Sequence, residues 1–295
     1  MTLSAVRQAI AGLLSLAALA VFGTDRTFEA QSRDSVVRVE RLNRTLTFSG
    51  TTQDRLLEVS TINGAIHVVG HDADHVQVVV VKTVRAATDA AADAGSRSAS
   101  VSFSESAEVV RIHGDVEARP GCDQKPTVQV RDRSYQVTFD FEVHVPRKTR
   151  LRGCAVNGGA IEVEGLTADF DIDHVNGGVR LTDLLGSGEA VTVNGSVNAS
   201  FAAVPRGALL LRSVNGDLEA TFPRDLSADL RLKTFNGELY TDFETIALPS
   251  APEVERQNGR SIYHSNRFGA FRVGSGGPVL TFDAFNGDVR VLAGR

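Results

Sequence analysis

Residues 213–220 read Ser-Val-Asn-Gly-Asp-Leu-Glu-Ala, and the core of this stretch recurs along the chain at nearly constant intervals. An apolar residue followed by Asn-Gly occurs seven times, and from Asn157 onward the Asn residues follow one another after 19, 18, 21, 21 and 50 positions. A sustained period near twenty is typical of a solenoid, in which each repeat buries its apolar side only by stacking on its neighbours. The seven Asn residues are Asn63, Asn157, Asn176, Asn194, Asn215, Asn236 and Asn286.

Apolar residues alternate with polar ones on both sides of each Asn-Gly pair, which predicts a strand, a corner and a second strand in every repeat. Glycine tolerates positive φ at such a corner, and the Asn amide can bond to local backbone or to the amides of stacked neighbours. Seven ordinary hairpin turns are the alternative, because Asn-Gly is also a strong hairpin signal. The near-constant period favours an all-β chain folded as a β-solenoid, a single-chain β-helix-like stack.

The remaining chain predicts one domain after an N-terminal leader. Residues 34–150 are expected to form irregular N-terminal coils, with a short helical excursion near residues 85–95, where alanine replaces β-branched residues. Residues 151–295 are expected to form the regular Asn-Gly coils, with an inserted loop at about residues 242–278. The chain finishes on a full repeat, residues 280–292, and a solenoid that ended there would need its open edge protected.

The first thirty residues have the outline of a secretory signal peptide. One positive charge, Arg7, precedes a largely apolar run over residues 9–22, which is shorter than the ~20 residues that a membrane-spanning helix needs. Small residues suited to cleavage occur in Ala-Leu-Ala at 18–20 and in Phe-Glu-Ala at 28–30, and the sequence does not choose between them. We therefore expect residues 1–30 to be removed and the mature chain to be periplasmic, secreted or on the cell surface, with no transmembrane span.

Charge and cysteine content narrow the class of protein. The formal net charge of −5 leaves no basic field for phosphate backbones, so nucleic acid is not an expected partner. Cys122 and Cys154 are the two cysteines, and in an exported protein they are compatible with one disulfide. Two unpaired buried thiols are the alternative.

The chain resembles the bacterial putative-adhesin family, a family of exported β-solenoid domains of unknown function. The resemblance rests on Phe-Glu-Val-His-Val-Pro at 141–146 leading into residues 151–163, on the Val-Asn-Gly repeats, and on residues 274–282 ahead of Phe-Asn-Gly-Asp-Val at 285–289. It covers nearly all of the mature chain; the cysteine pair and the extra glycine at Gly158-Gly159 depart from it. The resemblance implies a cell-envelope protein with an adhesion-like or scaffolding role, and it supplies no catalytic residues.

Two groups of side chains are weak candidates for metal binding. His71 and His75 flank a polar turn that needs no metal to form. Asp169, Asp171 and Asp173 project from one face of a strand and could bind calcium, although a carboxylate row without further oxygen ligands is usually a solvated face. No metal or other cofactor is therefore expected.

The sequence holds no recognisable nucleophile and base arrangement. We expect a non-catalytic adhesion, scaffolding or surface-sensing protein whose partner is a protein or glycan of the cell envelope. The alternative is a calcium-assisted carbohydrate-active enzyme on a β-helix scaffold, with the Asp169–Asp173 face holding calcium and Arg231 or Lys233 acting as base. The oligomeric state cannot be read from the sequence.

Overall fold

The structure is a computed structural model that describes residues 35–50, 54–115, 134–249, 253–257, 260–264 and 268–294. The described chain is predominantly β, with one helix among the described residues, and most strands belong to two large, mostly parallel sheets. The all-β prediction is confirmed. The predicted signal peptide lies outside the described residues.

The strands alternate with short turns along the whole described chain. In the first half they are β1 (Val36–Leu46), β2 (Leu56–Asn63), β3 (Ile66–His71), β4 (Val76–Ala86), β5 (Ser100–Glu105), β6 (Val109–Asp115), β7 (Tyr135–Pro146), β8 (Arg150–Asn157), β9 (Ile161–Glu164), β10 (Phe170–Asn176), β11 (Val179–Leu184) and β12 (Gly188–Asn194), with helix α1 (Asp89–Ser98) between β4 and β5. In the second half they are β13 (Val197–Phe201), β14 (Leu209–Asn215), β15 (Leu218–Phe222), β16 (Ala228–Lys233), β17 (Leu239–Thr241), β18 (Thr245–Ala247), β19 (Glu253–Gln257), β20 (Arg260–His264), β21 (Gly269–Val273), β22 (Val279–Asn286) and β23 (Val289–Ala293).

Each repeat contributes one strand to each large sheet, because the chain passes from one sheet to the other at the Asn-Gly corner. Sheet A has the order β1-β4-β7-β3-β9-β11-β13-β15-β23-β17. Sheet B has the order β18-β21-β16-β22-β14-β12-β10-β8-β2-β6-β5. Strands β19 and β20 form a separate antiparallel pair.

The alternation of apolar residues decides which side of each strand is buried. In β14 the side chains of Leu209 and Leu211 are buried, and in β15 those of Leu218, Ala220 and Phe222 are buried, whereas the residues between them are more exposed. Parallel pairing in register places the same positions of neighbouring repeats side by side, as Ala190 beside Leu211 and Val197 beside Leu218. The buried rows of both sheets belong to one continuous apolar core.

The N-terminal part departs from this parallel pattern. Strands β1, β4 and β7 pair antiparallel in sheet A, as β5 and β6 do in sheet B. The helical excursion expected near residues 85–95 is α1, whose N-cap residue Thr88 accepts a hydrogen bond from the Ala91 amide at 3.2 Å. The buried Lys82 on β4 donates to the Ser96 carbonyl at 2.6 Å and so ties the helix to sheet A.

The C-terminal repeat does not lie at the end of the stack. Strand β22 lies between β14 and β16, and β23 lies between β15 and β17. The repeat at 228–241, which directly follows the repeat at 209–222 in sequence, is therefore displaced outward by one position. Residues 242–278, expected as a loop, contain the four strands β18 to β21, of which β21 pairs antiparallel with both β16 and β18.

Candidate functional site

The Asn corners form a single row along one edge of the stack. Each corner Asn lies in register with the Asn of the adjacent repeat, for example Asn176 with Asn157 and Asn194. Six side-chain hydrogen bonds of 2.6–3.3 Å join the seven amides. The row, which we call the Asn ladder, runs in the order Asn63, Asn157, Asn176, Asn194, Asn215, Asn286 and Asn236.

A second row of polar contacts lies two residues before the corners, and it was not anticipated from the sequence. The buried hydroxyls of Thr192 and Ser213 donate to the carbonyls of Gly177 and Gly195 in the preceding repeats, each at 2.8 Å. The signal in the sequence is a Ser or Thr two positions before Asn in four repeats, Thr61, Thr192, Ser213 and Thr234. These bonds satisfy corner carbonyls that stacking removes from water.

His174 occupies this hydroxyl row in the repeat at 170–181, since it pairs with Thr192 in register. Its side chain is buried, Nδ1 lies 3.4 Å from the Gly178 carbonyl, and Nε2 has no hydrogen-bond partner. Burial is the main cause that lowers the pKa of His174, and the bond to Gly178 opposes that shift. His174 is thus a buried imidazole, favoured in its neutral form, in a row that has a hydroxyl in four repeats and alanine in the two others, Ala155 and Ala284.

The residue before each corner Asn is apolar in every repeat; Ile62 and Val156 are half-buried, and the other five are exposed. Val175, Val193 and Val214 are 38%, 37% and 38% exposed, and Phe235 and Phe285 are 58% and 49% exposed. The two phenyl rings stack with centroids 5.0 Å apart and planes 4° from parallel. We call this row the corner ridge, and in spatial order it consists of Ile62, Val156, Val175, Val193, Val214, Phe285 and Phe235.

A shallow groove of ≈ 380 Å³ crosses the outer face of sheet A over β11, β13 and β15. It forms where Asn198 on β13 lies between the longer side chains of Arg180 and Glu219, next to Ser200, which pairs with Thr221. Arg180 also approaches Glu162 on the next strand at 3.7 Å. The lining is mostly polar, with Leu181 and Ala199 as its apolar members; it carries both signs of charge and contains no aromatic ring.

The three aspartates considered for calcium occupy alternate positions, Asp169 just before β10 and Asp171 and Asp173 on it, and the first two have separate partners. Asp169 Oδ1 accepts from the Ser187 amide at 2.9 Å, and Asp171 lies 3.4 Å from the Arg152 guanidinium. Alternate residues of a strand are ~6.6 Å apart, which is too far for one ion to bind neighbouring carboxylates without movement. Within the described parts of the chain, no group of three or more His, Cys, Asp or Glu residues is placed to hold a metal ion.

His71 and His75 lie close together, with ring centroids 5.4 Å apart in an edge-on arrangement. His71 Nε2 is 2.8 Å from the His75 carbonyl, and His75 Nε2 is 2.8 Å from the Gln77 side chain. The acidic residues of the same turn bind arginines, Asp72 with Arg147 at 3.0 Å and Asp74 with Arg55. The Arg55 guanidinium lowers the pKa of Asp74, so this turn is held by ion pairs across neighbouring segments.

Arg231 and Lys233, considered as bases for an enzyme, lie on β16 away from those aspartates. Lys233 Nζ binds Asp283 at 2.9 Å, and both cations lie over the Phe268 ring at 5.1–5.2 Å from its centroid. Asp283 also accepts from Arg212 at 2.8 Å. This buried carboxylate thus bridges the strands on either side of the inserted β22.

Cys154 lies on β8, beside Ser60 of β2 and Asp173 of β10. Cys122 lies outside the described residues. The disulfide between Cys122 and Cys154 therefore stays a prediction.

Strand β17 forms the last position of sheet A and is exposed along its whole length. Leu239 and Tyr240 are 42% and 44% exposed. The Tyr240 hydroxyl donates to the Glu238 carboxylate, which raises the pKa of Tyr240, and Arg290 lies 5.6 Å from the centroid of its ring. The opposite end of sheet A is β1, which is supported by α1.

No helix in the part of the chain that the structure describes is long and apolar enough to cross a membrane. No protein-family model matches the chain, and no curated protein matches it. A search of solved structures found similarity to the crystal structure of a putative cell adhesion protein from Clostridium sporogenes, with 7% identity, a TM-score of 0.43, and coverage of 87% of this chain and 100% of that chain.

Proposed function

We propose that this protein is an exported β-solenoid that serves the cell envelope by non-catalytic interaction, as an adhesion, scaffolding or surface-sensing module. The observation that carries the proposal is the corner ridge, a row that is apolar in all seven repeats and exposed in five of them. Outward positions have no need to be apolar for the strand to form. A contiguous exposed apolar row rimmed by polar residues is typical of an interaction surface.

The solenoid part of the proposal is supported by the register of the repeats. In sheet B each corner Asn lies beside the corner Asn of the next repeat. In both sheets buried residues lie beside buried residues of the next repeat. With ~4.8 Å between strands, seven repeats extend the ridge over ~29 Å. A ridge of that length on a stack tied by the Asn ladder is a preorganised surface, so a partner loses little entropy in ordering it.

The export part rests on residues 1–30, which have the charge and apolar pattern of a signal peptide. The resemblance to the exported adhesin-like family agrees with that interpretation. We expect a chain expressed with residues 1–30 to be recovered outside the cytoplasm in cell fractionation, and a chain beginning at residue 31 to stay inside. Recovery of both chains from the same fraction would contradict export.

The interaction role is tested by capture from envelope extracts with the mature chain as bait. The triple variant Val175→Thr, Val193→Thr and Val214→Thr removes apolar surface from the ridge while keeping β-branched residues that suit a strand. The matched control is Asn198→Thr, a change of an exposed residue on the outer face of sheet A. We expect a defined envelope protein or glycan to be retained by the wild type and the control and to be lost from the triple variant.

Equal capture by the triple variant would contradict the ridge as the contact surface. Failure to capture any envelope component, together with measurable polysaccharide cleavage by the purified chain, would instead favour the carbohydrate-active enzyme. The capture assay and the polysaccharide-cleavage assay use the same purified proteins, so their results can be compared directly.

A further inference from the structure

The outer edge of β17 carries backbone groups with no partner strand among the described residues. The Glu238 carbonyl accepts from Val289, and the Asp242 amide donates to Val291, so the even-numbered residues of this segment face β23. Because successive residues of a strand point their N–H and C=O groups to opposite sides, those of Leu239 and Thr241 face away from β23. This edge is a template for one further strand.

The apolar side chains beside the edge are exposed because sheet A ends there. Leu239 pairs in register with Val289, which is fully buried, yet Leu239 is 42% exposed. Tyr240, the next residue, is 44% exposed. An added strand would cover the inward-facing Leu239, as β17 covers Val289. Binding of such a strand would therefore be favoured both by burial of apolar surface and by backbone hydrogen bonds.

The charge of the edge indicates what kind of strand fits. Residues 234–247 contain Glu238, Asp242 and Glu244, all exposed, and no Lys or Arg. The adjacent cation is Arg290 on β23, which already binds Asp288 at 2.6 Å and Asp217 at 3.3 Å. The Glu238 carboxylate accepts from the Tyr240 hydroxyl, and Asp242 Oδ2 accepts from the Ala293 amide at 3.0 Å. Neither carboxylate forms an ion pair with a described residue, so both can still pair with basic side chains of an incoming strand.

A second copy of β17 is disfavoured at this edge. Symmetric antiparallel pairing about Tyr240 would set Glu238 of each copy opposite Asp242 of the other. Like charges directly opposite each other destabilise a strand pair. The same carboxylates that repel a second β17 attract a strand that carries Lys or Arg.

We propose that the open edge of β17 binds an extended segment of another protein in which apolar residues alternate with Lys or Arg, and that this segment joins sheet A as an additional strand. Backbone bonds to Leu239 and Thr241 supply the alignment, and Glu238 and Asp242 select the basic side chains. This inference deepens the proposed interaction role by naming a class of partner, but it concerns the end of the stack and does not depend on the corner ridge.

The test uses the full mature chain and three acetylated, amidated hexapeptides as probes. The first alternates Lys with Val, the second alternates Glu with Val, and the third is the Lys-Val peptide with every backbone nitrogen methylated, so that it cannot donate hydrogen bonds. Titration is followed by tyrosine emission, to which Tyr135, Tyr240 and Tyr263 contribute, and by residue-level hydrogen exchange, which reports on β17 itself. We expect the Lys-Val peptide to slow exchange of the Leu239 and Thr241 amides, and the other two peptides to bind at least about tenfold more weakly.

The protein variants are Glu238→Gln combined with Asp242→Asn, and, as a matched control, Glu189→Gln on the exposed outer face of β12. We expect the double variant to lose most of its affinity for the Lys-Val peptide and the control to keep it. Thermal unfolding of each variant checks that the fold is retained.

Three results would overturn the proposal. Equal binding of the methylated peptide would show adsorption by charge without strand addition. Unchanged exchange at Leu239 and Thr241 with every peptide would show that the edge does not accept a strand. Protection of these amides that rises with protein concentration alone would assign the edge to a second copy. Each of these results leaves the capture experiment on the corner ridge unaffected, so the two proposals fail separately.

Discussion

Asn286 Nδ2 donates to Asn215 Oδ1 over 2.7 Å, although 71 positions separate the two residues in the chain. Asn236, which is the next corner in sequence after Asn215, instead bonds to the far side of Asn286 at 2.6 Å. The C-terminal repeat is thus inserted between two repeats that follow each other directly in sequence. This inserted position is held by long-range contacts, and it cannot form before residues 279–293 are present.

The Asn ladder is expected to contribute to stability. Asn215→Ala removes a donor to Asn194 at 2.8 Å and an acceptor for Asn286 at 2.7 Å, so we expect a loss of about 1–2 kcal/mol and a melting temperature a few degrees lower. Asn198→Ala is the control, because Asn198 is exposed on sheet A and lies outside the ladder. Equal melting of Asn215→Ala and the wild type would show that the ladder bonds add nothing beyond what water supplies.

Substitution of the glycine that follows each corner Asn is expected to lower stability more than substitution of the Asn itself. Gly216 has a φ of +155°, and a Cβ at this position would collide with the carbonyl oxygen of Gly195 in the neighbouring repeat. Gly216→Ala therefore has to push two repeats apart as well as strain the backbone, and we expect it to lower stability by more than Asn215→Ala.

The comparison is made by chemical denaturation of the two variants under one set of conditions. A smaller loss for Gly216→Ala than for Asn215→Ala would mean that the corners can separate at little cost.

Asp283 is expected to hold the inserted repeat in place. Its buried carboxylate lies 2.8 Å from Arg212 on β14 and 2.9 Å from Lys233 on β16. Asp283→Asn keeps the shape but leaves both cations without their anion. We expect a loss of about 1–3 kcal/mol, at the lower end because the Arg212 side chain is half exposed.

Hydrogen exchange distinguishes a local effect from a global one in this variant. Amides of β22 and β23 should exchange faster, while those of β10 and β12 should keep their wild-type protection. If amide exchange became faster to the same extent in all strands, Asp283 would have no specific role in holding the inserted repeat. Glu189→Gln, an exposed carboxylate on β12, serves as the control.

Stability is expected to fall at mildly acidic pH because of His174. Burial lowers the pKa of His174 below the ordinary value of about 6.5, so the unfolded chain takes up a proton while the folded chain is still neutral. The unfolded state then binds more protons, and stability declines as the pH falls from about 6.5 toward the pKa of the folded state. Burial lowers the pKa of His113 in the same direction.

His174→Thr tests this prediction, because Thr192 occupies the equivalent position in the adjacent repeat. Melting temperatures are compared at about pH 7.5 and about pH 5.5. We expect the variant to lose less stability than the wild type between these values. If the melting temperature of the variant fell by as much between the two pH values as that of the wild type, groups other than His174 would cause the pH dependence of stability.

The sequence allowed the local structure of the repeats to be predicted. Alternation around Asn-Gly predicts a strand on each side of the corner, and Leu209, Leu211, Leu218 and Ala220 are buried as that alternation requires. The helix near residues 85–95 followed from alanine replacing β-branched residues. The candidate binding surfaces were harder to predict, because the corner ridge and the edge of β17 depend on which side chains remain exposed after stacking.

By itself the sequence determined the repeat, the corner and the inward face of each strand, since these depend on neighbours within about ten residues. Only the tertiary structure decided the order of the repeats. The corners are chemically almost identical, so Asn236 could bond to Asn215 as well as to Asn286. The backbone hydrogen bonds between strands do not distinguish these two arrangements either. The choice depends on side chains that distinguish one repeat from another, namely Asp283 between Arg212 and Lys233 and the stacked rings of Phe235 and Phe285, which meet only when the whole stack has formed.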